Sequence, residues 1–318
     1  MLIDEGLASI LANAILVILL IIMFDYTFGW LERKTIAKAQ FRHGPTYLGP
    51  FGFLQNIADV IKLIAKENIV PSNADKLIFS VLPPLFLSFF IFLVYLLPFS
   101  NSIGISLSLG LLAVFVLLSF SPLIVFLIGI ASGNKFSAIS AQRSVIMLLG
   151  YEIPLILSIA GVVLYAGSFN IATIVNDQRS AYFIFLMPIA FAVFFISMLA
   201  ELERPPFDLR EADSELIAGW LVDVGAPYYA LALFVDYTRM FLGSLLISLL
   251  FLGGWLGPSI LPPLIWLMIK AFVVAFIIVI IRATTVRMRL DKLLSFGWFW
   301  LLPLSVVSII LTFLLFVR

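Results

Sequence analysis

Long apolar stretches alternate along this chain with shorter polar ones. Eight apolar runs stand out, at 7–30, 78–98, 105–131, 145–167, 181–200, 227–252, 263–282 and 296–316. A helix rises about 1.5 Å per residue, so roughly 20 apolar residues cross a hydrocarbon core of roughly 30 Å. The pattern predicts an all-α integral membrane protein of about eight transmembrane helices, forming one polytopic membrane domain over 1–318. Pro83, Pro84, Pro122, Pro154 and Pro303 fall in or near these runs. Membrane helices tolerate proline where neighbours satisfy the freed carbonyls.

One stretch between runs has a different period. Leu54, Ile57, Ile61 and Ile64 recur at helical spacing, while Gln55, Asp59, Lys62 and Lys66 occupy another face. This predicts an amphipathic helix in the membrane interface. It serves either as a surface helix with a solvated basic face or as a lid over an internal cavity.

Composition supports the membrane assignment: 63% of residues are hydrophobic and 12% charged, and mean hydropathy is +1.18. Soluble domains carry about 25% charged residues. The start, Met1-Leu2-Ile3-Asp4-Glu5, lacks the basic region of a secretory signal, so the first run is expected to stay in the mature protein. With no cysteine and one histidine, His43, the chain offers no thiolate set for an iron–sulfur cluster. It offers no bis-histidine haem site and no Cys/His zinc site either. No catalytic or metal-ligating residue is assigned, and any redox group is expected on partner chains.

The placement of basic residues predicts orientation. Arg33, Lys34, Lys38, Arg42, Lys62, Lys66 and Lys76 lie between the first two runs, and Lys135 and Arg143 between the third and fourth. Arg204 and Arg210 follow the fifth run; Arg282, Arg287, Arg289 and Lys292 follow the seventh. Cytoplasmic loops concentrate lysine and arginine. The loops 31–77, 133–144, 201–226 and 283–295 are therefore expected in the cytoplasm, with both termini outside.

The segment after the fifth run is strongly acidic. Glu201, Glu203, Asp208, Glu211, Asp213 and Glu215 fall within fifteen residues, and Asp223 follows. A helix starting near Pro206 would suit proline's place in a first turn and put Asp208, Glu211 and Glu215 on one face. A solvated acidic loop is one reading. The other is a proton relay, because crowded carboxylates in low dielectric share protons. Asp25, Glu152, Asp236 and Lys270 fall within apolar runs, where ionisable groups are costly. Asp236 and Arg239, three apart, are candidates to pair; Asp25 and Glu152 are candidates for water contact near an interface. Glu152, Glu201, Glu215, Asp223 and Asp236 together suggest a buried acidic path.

These stretches resemble the H subunit family of complex I, NADH dehydrogenase subunit 1. The matching residues are Glu32-Arg33-Lys34, Gln40 to Gly52 with Arg42, Gly44 and Pro45, Ala58-Asp59 to Lys66-Glu67, and Pro71 to Asp75. Ala141-Gln142, Tyr151-Glu152, Ala200-Glu201 with Arg204 and Pro206-Phe207-Asp208-Leu209, and Glu211 to Leu216 continue the match. Arg282-Ala283-Thr284 and Arg289 to Gly297 complete it. The resemblance implies a membrane-arm subunit beneath a peripheral redox arm in the cell membrane, acting in ion translocation without catalysis alone. The family's acidic relay carries over to Glu152, Glu201, Asp208, Glu211, Asp213 and Glu215, with Asp223 and Asp236 where the family usually has Glu. Cavity and interface roles carry over to Arg33, Gln40, Arg42, Gly44, Pro45, Asp59, Lys62, Arg204, Phe207, Arg282 and Arg289.

Implied partners are other membrane-arm subunits, peripheral iron–sulfur and hydrogenase-like subunits and the bilayer, with no nucleic acid. No cofactor is expected on this chain; a quinone at the interface and iron–sulfur clusters in partners are implied. The chain departs from the family at Gly219-Trp220-Leu221-Val222-Asp223-Val224, and at Glu203, where the family usually has Asn. The same fold serves membrane-bound hydrogenases that need no quinone, so the acceptor and the ion, proton or sodium, stay open. A stand-alone secondary transporter and a purely structural anchor are the competing classes. The absence of a visible internal repeat argues against the first, and five acidic residues at or inside spans argue against the second.

Overall fold

The computed structural model describes residues 2–100, 104, 107–210 and 217–316, with side chains described for 10–315 of these. The described residues form helices and no strand. In chain order the helices are α1 (Leu2–Ala39), α2 (Gln55–Ile64), α3 (Lys76–Tyr95), α4 (Gly110–Leu118) and α5 (Ser121–Ala131). Then come α6 (Lys135–Ala166), α7 (Ile171–Asp177), α8 (Phe183–Leu186) and α9 (Pro188–Glu201). The last four are α10 (Ala226–Phe251), α11 (Pro263–Thr284), α12 (Leu290–Phe296) and α13 (Leu302–Phe316).

Among the described residues, seven helical segments are long and apolar enough to cross a membrane, and α9 is a shorter apolar helix beside them. The differences from the expected runs have local causes. The third run breaks at Ser119–Phe120, where Pro122 opens α5, so two short helices share one crossing. The fifth breaks at Met187, whose φ of −132° and ψ of 61° are not helical, ahead of Pro188. The eighth is continuous through a π-turn at Gly297–Leu301 that joins α12 to α13. Gly297 is required there: a Cβ would lie 2.0 Å from the Gly150 carbonyl oxygen on α6.

Two expected loops are partly helix. Residues 31–39 are the end of α1, and residues 135–144 are the first turns of α6. Asn134 starts α6 by accepting from the Phe136 N–H at 3.0 Å, and Asp75 starts α3 by accepting from Leu77 and Ile78.

The bundle has two centres. α6 packs against α5, α9 and α13, while α10 packs against α1, α3 and α11. α10 is the most buried of the seven long segments. Aromatic rings bind the second group: Phe24 on α1 stacks on Phe28 at 4.2 Å and meets Phe241 of α10 in a tilted pair at 4.4 Å, and Phe28 meets Phe272 of α11 at 4.7 Å. Each such ring pair adds about 0.5–1.5 kcal/mol beyond its burial. Large aliphatic side chains on the outer faces, such as Leu19, Met23, Leu149 and Ile277, stay exposed and suit contact with acyl chains.

The amphipathic helix stands as α2, with Leu54, Ile57, Ile61 and Ile64 exposed along one stripe. Its opposite side is fastened to α1. Asn56 Nδ2 donates to the Tyr26 carbonyl at 2.9 Å, and the Tyr26 hydroxyl donates to the Phe53 carbonyl at 2.7 Å.

Candidate functional site

At the end of the bundle where α9 stops, the chain turns back and carries charged side chains inward. Residues 204–210 form no helix, so the start expected near Pro206 is not found there; Glu211, Asp213 and Glu215 lie outside the described residues. Glu203 has φ of 51°, in the left-handed region that side chains other than glycine seldom adopt. The turn places its carboxylate between two arginines.

Arg239 of α10 donates from Nη1 to Glu203 Oε2 at 3.0 Å, and Arg210 forms an ion pair with the same oxygen. Arg210 Nη2 then donates to Asp236 Oδ1 at 2.6 Å, and Arg239 also donates to the Glu201 carbonyl. The three side chains Glu203, Arg210 and Arg239 are at most 3% exposed. Rings cover the guanidiniums, Trp220 at 5.3 Å from Arg210 and Phe90 at 5.4 Å from Arg239.

Beside this group lies a second. Glu32 of α1 accepts from Arg204 Nη1 at 3.0 Å and from Arg282 of α11 through the same oxygen. Arg204 sits 5.5 Å over the Tyr237 ring and reaches the Asp236 carbonyl at 3.5 Å, so Asp236 touches both groups. Burying charge in a bilayer-embedded protein costs several kcal/mol per ion, and only close pairing offsets it. Here carboxylates and guanidiniums alternate, so a change at one resets the field at the next.

Glu201 ends α9 with its carboxyl buried toward Tyr151 of α6, and its Oε1 has no hydrogen-bond partner among the described residues. Glu152, next to Tyr151, is half-buried and lines a cleft of about 670 Å³ between α4 and α6.

A family model described as NADH dehydrogenase matches residues 11–313. The chain belongs to the H-subunit family of complex I-type oxidoreductases. It is 41% identical over 304 residues to the H subunit of NADH-quinone oxidoreductase from Brevibacillus brevis, covering 94% of this chain and 90% of the relative. It is 38% identical over 317 residues to the second H subunit of NADH-quinone oxidoreductase from Syntrophobacter fumaroxidans, covering 96% of each. The H subunit of NADH-quinone oxidoreductase from Dehalococcoides mccartyi (strain CBDB1) is 38% identical over 304 residues, covering 93% of this chain and 86% of the relative. This member of the H-subunit family is thus a multi-pass membrane component of a complex I-type oxidoreductase.

Within this H-subunit fold, the remaining candidates separate. Asp236 and Arg239 do not pair with each other; each turns to a residue of the 201–210 turn instead. Asp25 is not solvated but 4% exposed, and its Oδ2 accepts from Thr238 at 3.0 Å. Asp208 is half-buried and accepts from Arg287 at 3.3 Å, and the adjacent Phe207 is buried. Asp223 lines a polar pocket of about 320 Å³ formed by 71–73 and 132–135 and shares no ion pair with the two groups among the described residues. Lys270 fastens α11 to the end of α10, donating to the Leu252 and Leu256 carbonyls at 2.7 and 2.6 Å.

The first loop forms a separate surface. Arg33 pairs with Asp59 of α2, and Gln55 donates to Asp59 at 3.0 Å. Partial burial raises the Asp59 pKa, but the bonds from Arg33 and Gln55 outweigh it and hold the carboxyl below its usual value. Arg42 donates to Gln40 at 2.8 Å, and Arg42, Gly44 and Pro45 line an open pocket of about 840 Å³ with Arg33 and His43. Lys62 is exposed, and exposed Arg289 precedes α12. Sequence reasoning did not identify the pairing roles of Glu32, Glu203 and Arg210, and it offered Asp236 rather than Glu203 as the partner of Arg239. The signal available was charge count: Arg239 lies inside a span and needed a buried carboxylate.

Proposed function

We propose that this chain sits at the junction with the peripheral redox arm of a complex I-like energy-converting oxidoreductase. There it couples electron transfer to proton or sodium translocation through its buried acidic residues. The observation that carries this is Glu203 held between Arg210 and Arg239, with the Glu201 carboxyl buried beside them and facing Tyr151. A carboxyl in that position is a site where a proton can be held or released as neighbouring charges change. The iron–sulfur clusters would belong to peripheral partner subunits, hydrogenase-like ones among them, since this chain has no thiolate to ligate them.

A second reading concerns the electron acceptor. The relatives' names include quinone. A cleft of about 240 Å³ opens between α1, α2 and α10, apolar toward Ile22 and Leu233 and polar toward Arg33, Asp59 and Tyr237. That gradient suits an amphiphile entering from the bilayer.

The relay is tested in sealed vesicles containing the whole complex. Glu201→Gln, Glu211→Gln, Asp213→Asn and Glu215→Gln are compared for ion uptake and redox turnover. Ion uptake is expected to vanish and turnover to slow in these variants, because the two processes share the same charges. Full uptake in all four would refute the relay.

A further inference from the structure

An open pocket of about 590 Å³ lies between the α7–α8 connection and the loop that follows α10. Gln178, 1% exposed, fixes its floor. It donates to the Leu249 carbonyl at 2.9 Å and accepts from the Gly253 N–H at 2.7 Å, which ties the two connections together. Arg179 and Tyr182 stand on one side of the pocket, Leu256 and Pro258 on the other. Trp266 of α11 braces the second side, donating from its indole N–H to the Pro258 carbonyl at 2.9 Å. The pocket is therefore held open by buried and interfacial hydrogen bonds rather than by chance side-chain placement.

Lys270 reaches this pocket from behind. It stands twelve residues, or about 18 Å, along α11 from Arg282, at the end of the bundle away from the paired charges. Its Nζ lies 5.0 Å from the Tyr182 ring and donates to the Leu252 and Leu256 carbonyls. An ammonium has three donors, so one is left over. No carboxylate pairs with it among the described residues, and a half-buried cation beside lipid calls for a counterion. Arg179 is exposed at the rim and donates to a neutral partner, the Asn176 side-chain oxygen, at 3.1 Å. The segments 168–187 and 252–262 carry two charged residues, Asp177 and Arg179, and Arg179 is the one that lines the pocket.

The surroundings select the anion. Tyr182, Trp266 and the exposed Phe185 gather at one level, as aromatic rings do at a bilayer interface. From beside Trp266, the exposed side chains Ile265, Ile269, Phe272 and Phe276 recur at helical spacing down α11 and offer a track for acyl chains. Two cations with only neutral partners suit a phosphodiester, whereas a head-group amine would bring a third positive charge beside them. We infer that Lys270 and Arg179 form a binding site for the phosphate of an anionic phospholipid, in the leaflet opposite the paired charges.

The test uses the intact complex in phosphatidylcholine nanodiscs with two trace photoreactive lipids. These are phosphatidylglycerol and phosphatidylethanolamine, each with a diazirine at the top of one acyl chain. Labelling is read on residues 179–186 and 256–266. Each cation at a membrane surface favours an anionic lipid about fivefold, so the wild type should prefer phosphatidylglycerol about twentyfold. Arg179→Gln and Lys270→Gln should each lower the preference about fivefold, and the double variant should remove it. Lys270→Gln also loosens α11 from the end of α10, whereas Arg179 is exposed and holds no helix, so Arg179→Gln decides. Equal labelling by the two lipids in the wild type, or an undiminished preference in Arg179→Gln, would overturn the site. Loss of the phosphatidylglycerol label on adding millimolar inorganic phosphate would assign the pocket to a free anion and overturn the lipid. No labelling of either segment would mean that a partner subunit covers the pocket, and would overturn it as well.

Discussion

Arg239, deep in α10, donates to Glu203 at 3.0 Å across the turn after α9, with both side chains 1% exposed. Removing one partner of such a pair strands a charge where water cannot reach it. The expected cost is about 3–5 kcal/mol. Glu203→Gln should therefore lower the thermal midpoint of the detergent-solubilised protein substantially. Arg239→Leu should do the same, and the double variant Glu203→Gln/Arg239→Leu should recover part of the loss. A midpoint in Glu203→Gln within a degree of wild type would show that the pair contributes little.

The same turn depends on a glycine. Gly219 has φ of 59°, and a Cβ there would lie 1.8 Å from the Arg210 carbonyl oxygen. Gly219→Ala should displace Arg210 and so disturb Glu203 and Asp236, both of which it pairs with. The variant is expected to lose redox-coupled ion uptake while its helix content by circular dichroism stays near wild type. Unchanged uptake would mean that the turn adjusts without moving Arg210.

Asp59 makes the seating of α2 pH-dependent. Its folded pKa is lowered, so the stabilisation is present above the unfolded value, near 4, and is lost as pH falls through the folded value. α2 should stay seated across the neutral range and loosen only in strong acid. Asp59→Asn should loosen it at pH 7. A cysteine placed at position 60, which lines the cleft between α2 and α1, reports this by its labelling rate, since the chain has no native cysteine. An unchanged rate in Asp59→Asn would assign the seating to Asn56 and Tyr26 contacts alone.

Sidedness follows from the fifteen of nineteen basic residues that lie in or beside the segments 31–77, 133–144, 201–226 and 283–295. Single cysteines at 55, 208 and 291 should react with an impermeant maleimide only from the cytoplasmic face of sealed vesicles. Labelling of position 55 from the opposite face would reverse the orientation.

The apolar runs and the period of α2 were legible in the sequence because they are local. A helix must satisfy its own backbone in lipid, so an apolar run of sufficient length already specifies a span. Proline and capping residues were visible too, although their effect on helix ends at Lys135 and Met187 needed the neighbours to settle. Which charges meet was not legible. Asp236 and Arg239 lie three residues apart, the spacing of a helical pair, yet each is drawn to the turn after α9 because burial makes every partner count and that turn brings Arg210 and Glu203 within reach. Glu32 and Arg282 stand 250 positions apart and meet only because α1 and α11 pack together. By itself the sequence determined where the apolar spans lie and which charges fall within or beside them. Only the tertiary structure decided how they neutralise one another, because the desolvation cost of each depends on neighbours brought from other helices.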